Sequence, residues 1–346
     1  MSDGEPHPPP RLHSGLRDIG GRTEADVSER EIGGYLELER SCGSEYHQGA
    51  LALNCARNCL AYLIEARGIR RLLVPSFLCA SVSQTAGRYD IDVVEYPIGA
   101  DFAPLYDQVD LGGDGYLYLV NYYGQLSDER IREAKRLSGG RLIVDEVMNF
   151  YHMPVDGLDT IYSCRKFFGV PDGGYLYTSA RIGRPLPADQ SFDRMGFVLG
   201  RFERTANEFY PQAAANNSFF VTEPIKTMSP ITHNLLRAVD YDRVAERRAA
   251  NFAYLHHELA DVNELCPTQP VGAFMYPLLV RDGMSIRKRL QARKVYVSTL
   301  WPFATDKPGY AGRYARDILP LPVDQRYDAD DMAYVCRLVR EEMGRD

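Results

Sequence analysis

Lysine is scarce in this chain: of 40 lysines and arginines only six are lysine, so an amine stands almost only where a guanidinium does not serve. An ε-amine can form a Schiff base and change its proton affinity on burial, and a guanidinium can do neither. Other absences exclude whole classes. The seven cysteines, at 42, 55, 59, 79, 164, 266 and 336, contain no Cys-x-x-Cys pair, which removes zinc ribbons and thioredoxin-type motifs. Of the seven histidines only His256 and His257 adjoin, and neighbours on a helix point apart, so no metal site is expected. There is no positive excess: the net charge is −7 and the pI about 5.6, so no nucleic-acid partner is expected. No apolar run has membrane-spanning length; the best stretch, 72–82, is broken by Pro75 and polar residues. The first ten residues, Met-Ser-Asp-Gly-Glu-Pro-His-Pro-Pro-Pro, offer neither a basic start nor an apolar core for a secretory signal. A reducing, cytoplasmic location is expected.

What is present is an ordinary globular composition, with 45% hydrophobic and 25% charged residues over 346 positions. Residues 1–30, Pro-rich and then polar, are expected to form a mobile tail. The alternation in 32–39 suggests an extended arm or short strand. From Ala50 to about Tyr177 strand-like and helix-like stretches alternate: strands at 51–54, 71–74, 93–96, 115–121, 141–145, 160–163 and 174–178, and helices from Ala56 to Ala66, from Ala80 to Arg88 and from Ser127 onward. Such alternation predicts an α/β fold with a mainly parallel sheet flanked by helices. Residues 181–230 look loop-rich, with prolines at 211, 224 and 230. A long helix is predicted over 231–259, then a strand at 274–280, a helix at 285–293, a short strand at 295–298, a loop, and a last helix at 329–342. The expected division is therefore a large domain over 31–230 and a smaller α+β domain over 231–346.

Among the six lysines Lys166 has the most telling surroundings. It follows the strand-like Asp159-Thr-Ile-Tyr-Ser163 and precedes the turn Pro171-Asp-Gly-Gly174. Upstream, Asp145 closes the strand Arg141-Leu-Ile-Val-Asp. A carboxylate at one strand end and an amine at the next suit pyridoxal 5'-phosphate, which needs an amine, an acid for its ring nitrogen, a phosphate cradle and ring support. Asn54-Cys-Ala-Arg-Asn58, between a strand and an Ala-rich helix, offers a helix start where an anion is favoured. Ser163 adds a hydroxyl three residues before the lysine; a plain turn hydrogen bond is its other reading, as capping is for Asp145. Lys135, Lys288, Lys294 and Lys307 lie on surface-like helices or in a loop, and Lys226 is not excluded by position alone.

Several motifs together carry a family resemblance: Val74-Pro-Ser-Phe-Leu-Cys-Ala-Ser81, Val120-Asn-Tyr-Tyr-Gly-Gln125, Ile143-Val-Asp-Glu146, Ser163-Cys-Arg-Lys166 with Pro171-Asp-Gly-Gly174, Glu246-Arg-Arg-Ala-Ala-Asn251 and Leu319-Pro-Leu-Pro-Val-Asp324. From about Ala50 to Met343 the chain resembles the DegT/DnrJ/StrS sugar aminotransferases, fold-type-I enzymes dependent on pyridoxal phosphate. The resemblance implies Lys166 as the Schiff-base lysine and Asp145 as partner of the ring nitrogen. It implies phosphate contacts from the backbone of Ala56 and Arg57 and from Ser163, and a homodimer in which 205–230 reaches the neighbouring site. Three positions depart from the family's pattern: Cys79 where an aromatic residue usually stacks on the ring, Met148 where His or Gln is common, and a Ser-to-Lys spacing of three residues where five is usual.

Tyr122, Tyr123, Trp301 and Arg326 are the candidates for substrate contact. The two tyrosines follow a strand, so one is expected to face the core and the other the cleft. Arg326 either grips an anionic group in bidentate fashion or makes a surface salt bridge. The resulting expectation is an aminotransferase moving an amino group from an amino acid such as glutamate to a keto-sugar nucleotide. Another pyridoxal phosphate reaction (dehydration, decarboxylation or elimination) and a catalytically silent homologue stand as alternatives.

Overall fold

The computed structural model describes residues 33–344. The tail expected over 1–30 lies outside them. Residues 33–40 belong to a unit separate from the rest of the described chain. Its described part, 33–40, makes bends and no strand, with Gly33 and Gly34 at φ 89° and 94° and Arg40 paired to Glu37 at 2.9 Å. The expected short strand is absent there: left-handed glycines interrupt the alternation, and an isolated extended segment has no ladder to stabilise it.

Residues 41–344 form one compact unit. In chain order it contains β1 (Leu51–Leu53), α1 (Ala56–Arg67), β2 (Arg71–Pro75), α2 (Ala80–Arg88), β3 (Asp92–Tyr96), β4 (Tyr116–Val120), α3 (Asp128–Leu137), β5 (Leu142–Asp145), β6 (Asp159–Ser163) and β7 (Gly174–Tyr177). Then come α4 (Gly196–Glu203), α5 (Ala206–Phe219), α6 (Pro230–Arg237), α7 (Tyr241–Leu259), β8 (Met275–Leu279), α8 (Gly283–Ala292), α9 (Gly309–Asp317), β9 (Ile318–Pro322) and α10 (Ala329–Met343). None of the described helices is long and apolar enough to cross a membrane.

The main sheet has the order β1-β7-β6-β5-β4-β2-β3. β3, β2, β4, β5 and β6 pair in parallel, while β7 is antiparallel to both β6 and β1. The expected α/β architecture is thus present. β4, β5 and β6 are buried almost throughout, as strands covered on both faces must be. Their apolar runs join α1 in the larger core, which also takes in Trp301 and Tyr314 from late in the chain. A smaller core gathers Phe252, Leu255, Tyr276, Leu319 and Val339 around the β8–β9 pair.

The C-terminal half departs from the sequence expectations in several places. The segment 181–230 holds α4 and α5, with Pro211 inside α5. Interior proline normally disfavours a helix by roughly 3 kcal/mol or more, which is why these residues suggested a loop. The long helix expected over 231–259 is two helices, because the Asp240 side chain caps a new start by accepting from Arg243 N at 3.1 Å. No strand forms at 295–298. The partner of β8 is instead β9, whose two prolines hide it. Pro277 and Pro320 face each other in its register, and a two-stranded edge tolerates the missing donors. Helix α9 lies where only a loop was expected.

Candidate active site

Strand order reverses between β2 and β4, and ligands of open α/β sheets gather outside the carboxyl ends at such a point. There the chain leaves β1 at Asn54, β2 near Ser76, β4 at Asn121, β5 at Glu146 and β6 at Cys164. These exits surround a cavity of about 480 Å³ whose wall includes Ala56, Arg57, Cys79, Tyr118, Asp145, Met148, Ser163, Arg165, Lys166, Asn217 and Trp301. Seven of the ten residues singled out from sequence therefore share one wall.

Asp145 is 5% exposed. Its Oδ1 accepts from Val147 N at 2.9 Å and its Oδ2 from the Tyr118 hydroxyl at 2.7 Å. Burial raises its pKa, and the positive charge of Lys166 and the two donors oppose that rise. Lys166 shows the mirror effect. Burial lowers its pKa, with the Asp145 charge pulling the other way. The lysine keeps accessible surface because the cavity is open, yet the protein around it displaces enough water to weaken its hold on a proton. Its Nζ lies 5.5 Å from the centre of the Phe274 ring. Amine and carboxylate thus interact across the cavity without pairing directly, which leaves both able to engage a bound group.

The opposite end of the wall is an anion cradle. α1 begins at Ala56 with Cys55 as an N-cap that supplies no side-chain hydrogen bond. The first amides of the helix have no partners within it, and its dipole adds positive potential there. Gly174 lets β7 come this close: a Cβ at that position would lie 2.8 Å from Ala56 N. Two guanidiniums flank the helix start. Arg57 donates to Asn217 O at 3.4 Å, and its buried Nε has no partner. Arg165 donates to the Asn217 side chain, and burial pulls its pKa down to about 10. An uncapped helix start, two arginines, the Ser163 hydroxyl and an unmatched buried donor fit a phosphate, and with Asp145 and Lys166 at the other end the wall fits pyridoxal phosphate.

The loop carrying Lys166 is fixed on both sides. Phe167 O accepts from Arg248 Nη2 at 3.1 Å and from Gln325 Nε2 at 2.9 Å. Asp172 takes Ser229 N and Ser229 Oγ, each at 2.8 Å, and the Thr232 hydroxyl, binding the turn to the start of α6. Gly173, at φ +112°, follows it in a conformation disfavoured for side-chain-bearing residues.

Three substrate candidates stand elsewhere. Tyr122 and Tyr123 are both buried, at 1% and 0% exposure, and neither lines the cavity. The expected split between core and cleft fails because the strand has ended: they occupy a single 3₁₀ turn, with Tyr123 at φ 54°, and the Tyr122 hydroxyl donates to Phe77 O. Arg326 forms a bidentate pair with Asp324, Nε to Oδ1 at 2.6 Å and Nη2 to Oδ2 at 2.8 Å. That pair is the salt-bridge alternative, and it lines a second hollow that meets the first at Arg165 and Lys166. Lys226 pairs with Glu223 and Asp189 and lines neither hollow. Sequence reasoning missed Tyr118, Arg165 and Asn217. Tyr118 and Val120, two residues apart on one face of β4, both line the cavity, but the sequence did not say which face that was. Asn217 arrives from α5 and carried no signal.

By sequence, neither a family model nor a curated protein matches the chain. Solved structures do match. DesV from S. venezuelae, determined in complex with a ketimine intermediate, superposes with a TM-score of 0.61 at 18% identity, over 86% of this chain and 85% of its own. A DegT DnrJ EryC1 StrS aminotransferase from Brucella abortus gives 0.59 at 15% identity, over 86% of each chain. The sugar aminotransferase CalS13 from Micromonospora echinospora gives 0.56 at 14%, over 84% of this chain and 87% of its own. At such identities the likeness establishes the fold: this chain is built on the same α/β scaffold as these aminotransferases.

Proposed function

We propose that the protein is a pyridoxal 5'-phosphate-dependent aminotransferase of the DegT/DnrJ/StrS type. The observation that carries this is the assembly, on one cavity wall, of Lys166, Asp145 and the anion cradle at the start of α1. Pyridoxal phosphate, when bound, supplies an aldehyde that condenses with amines and a ring that accepts electrons. Ala56, Arg57 and Ser163 would hold its phosphate. Asp145 would keep a proton on the ring nitrogen, Cys79 would lie at the ring, and Trp301 would border the substrate. Lys166 would anchor the cofactor and then carry a proton to and from the substrate carbon, a task suited to an amine whose proton affinity burial has lowered. We assign the donor as an amino acid, glutamate first, and the acceptor as a nucleotide-linked keto-sugar; the sugar aminotransferases on the same scaffold support that choice. Self-association as a homodimer is supported by an apolar face on and beside α4 and α5, where Phe192, Leu199, Phe202 and Tyr210 are exposed.

The test is spectroscopic and chemical. Purified protein should absorb in the visible, and borohydride should fix the cofactor to the peptide containing Lys166. Glutamate should convert the bound group to pyridoxamine phosphate. A label on Lys226, or no cofactor uptake, would overturn the assignment. Cofactor binding without conversion by any amino acid would favour a different pyridoxal phosphate reaction.

A further inference from the structure

Asp145 does not stand alone at the end of β5. The Tyr118 hydroxyl, two residues before the end of β4, donates to its Oδ2 at 2.7 Å, and Val147 N occupies Oδ1 at 2.9 Å. Tyr118 is 3% exposed and lines the same cavity. β4 and β5 are adjacent and parallel, with Val120 opposite Asp145 in register, so the phenol reaches across from the neighbouring strand. Each carboxylate oxygen keeps a second lone pair after accepting one bond. The carboxyl plane is thereby set while acceptor capacity remains for a ligand.

We propose that Tyr118 is a positioning residue that fixes the Asp145 carboxylate toward the cavity and keeps it ionised in its buried setting. The role assigned to Asp145 rests on the function proposed above, whereas the Tyr118–Asp145 bond does not. The groups acting on Asp145 are few. Lys166 faces it from the turn after β6, the Cys59 thiol approaches from α1, and Tyr118 and Tyr122 come from β4 and just beyond it. Cys79 acts on both Tyr118 and Lys166. The three neighbours other than lysine are thiol or phenol groups whose pKa values burial raises, so they remain protonated at neutral pH. Of these groups only Tyr118 donates a hydrogen bond to the carboxylate. Met148 also lines the cavity and offers no N–H or O–H.

The test titrates Asp145 directly in the full-length protein, with and without pyridoxal 5'-phosphate. Infrared difference spectra should show a protonated-carboxyl band absent from Asp145→Asn, and its midpoint is read against pH. Removing a donor from a carboxylate makes protonation easier, so Tyr118→Phe should move the midpoint up by roughly one pH unit. Pyridoxal phosphate affinity should fall about tenfold, and that loss should vanish in the Asp145→Asn background, where the bond no longer holds a charge. An unchanged midpoint would overturn the proposal. So would an affinity loss that persists in the Asp145→Asn background, since that would be a packing effect alone. If wild-type protein takes up no pyridoxal phosphate, the proposed function fails, and the cofactor-free titration still decides the role of Tyr118. Tyr118→Met supplies a second donor-free side chain if the Phe variant does not fold.

Discussion

Asp145 and Glu146 are consecutive, both buried and both at the end of β5, yet their surroundings divide them. Asp145 points into the cavity, is held by two neutral donors and faces an amine that does not pair with it. Glu146, the first residue beyond β5, does not line the cavity. Asn121 Nδ2 donates to both its oxygens at 3.1 Å, and its Oε1 lies 3.1 Å from His152 Nδ1. The far side of that imidazole, Nε2, lies 2.8 Å from Asp128 Oδ1 at the start of α3. Glu146 thus spends its charge inside the structure, whereas the charge on Asp145 remains available to a ligand. Burial of a carboxylate does not by itself mark a functional group; what its neighbours leave unsatisfied does.

The sharpest way to break this contrast is to neutralise each side in turn. Asp145→Asn should fold with a nearly unchanged melting temperature and lose transamination by orders of magnitude, because the ring nitrogen would lose its acid. Near-normal turnover would mean that another acid serves it. Glu146→Ala should do the reverse. It leaves His152 and Asn121 without their buried partner and should lower stability by about 3 kcal/mol in denaturant unfolding. Borohydride labelling of Lys166 should persist in the folded fraction. If Glu146→Ala abolished cofactor uptake while leaving stability intact, the division between the two sides would be false.

A smaller effect is expected on the cavity side at Cys79. Its thiol accepts from the Ser81 hydroxyl at 3.1 Å and lines the wall with Tyr118 and Lys166. Cys79→Trp places an aromatic face where the bound ring would lie. Aromatic contacts add about 0.5–1.5 kcal/mol beyond burial, so cofactor affinity should change by up to about tenfold, with a shifted visible band. An unchanged spectrum and affinity would place Cys79 away from the ring.

The same division separates what was legible in the sequence from what was not. Strand ends are written locally, in runs such as Leu142-Ile-Val-Asp145 followed by turn residues, so Asp145, Ser163 and Lys166 could be placed without coordinates. Helix α2 has the bounds its pattern predicts, Ala80–Arg88. Contributions that arrive through tertiary packing were silent. Asn217 enters from a helix containing a proline, the Arg248 clamp on Phe167 O comes from α7, and β9 is masked by Pro320 and Pro322. Tyr122 and Tyr123 were misplaced because alternation was carried past the end of β4. Arg326 left two readings open, and the pairing with Asp324 was decided by a neighbour two residues away.

The smallest expected effect is a pH dependence confined to the structural side. His152 has its pKa raised to about 9, chiefly by its hydrogen bond to Glu146, against burial, which lowers it; the Glu146 charge and Asp128 add to the rise. Burial raises the Glu146 pKa, with His152 the main opposing influence, so each partner of the pair favours the charged form of the other. A histidine whose folded pKa exceeds the ordinary 6.5 contributes stability that is fully present below 6.5 and fades as pH rises through about 9. The melting temperature of the wild-type protein should therefore decline between about pH 6.5 and 9 relative to His152→Leu, whose curve should be flatter over that interval. The His152 ring is partly accessible, with 27% of its side-chain surface exposed, so solvent screening keeps the effect below that of the Glu146 truncation. Parallel curves for the two proteins would show that His152 stays neutral and that Glu146 is held by Asn121 alone.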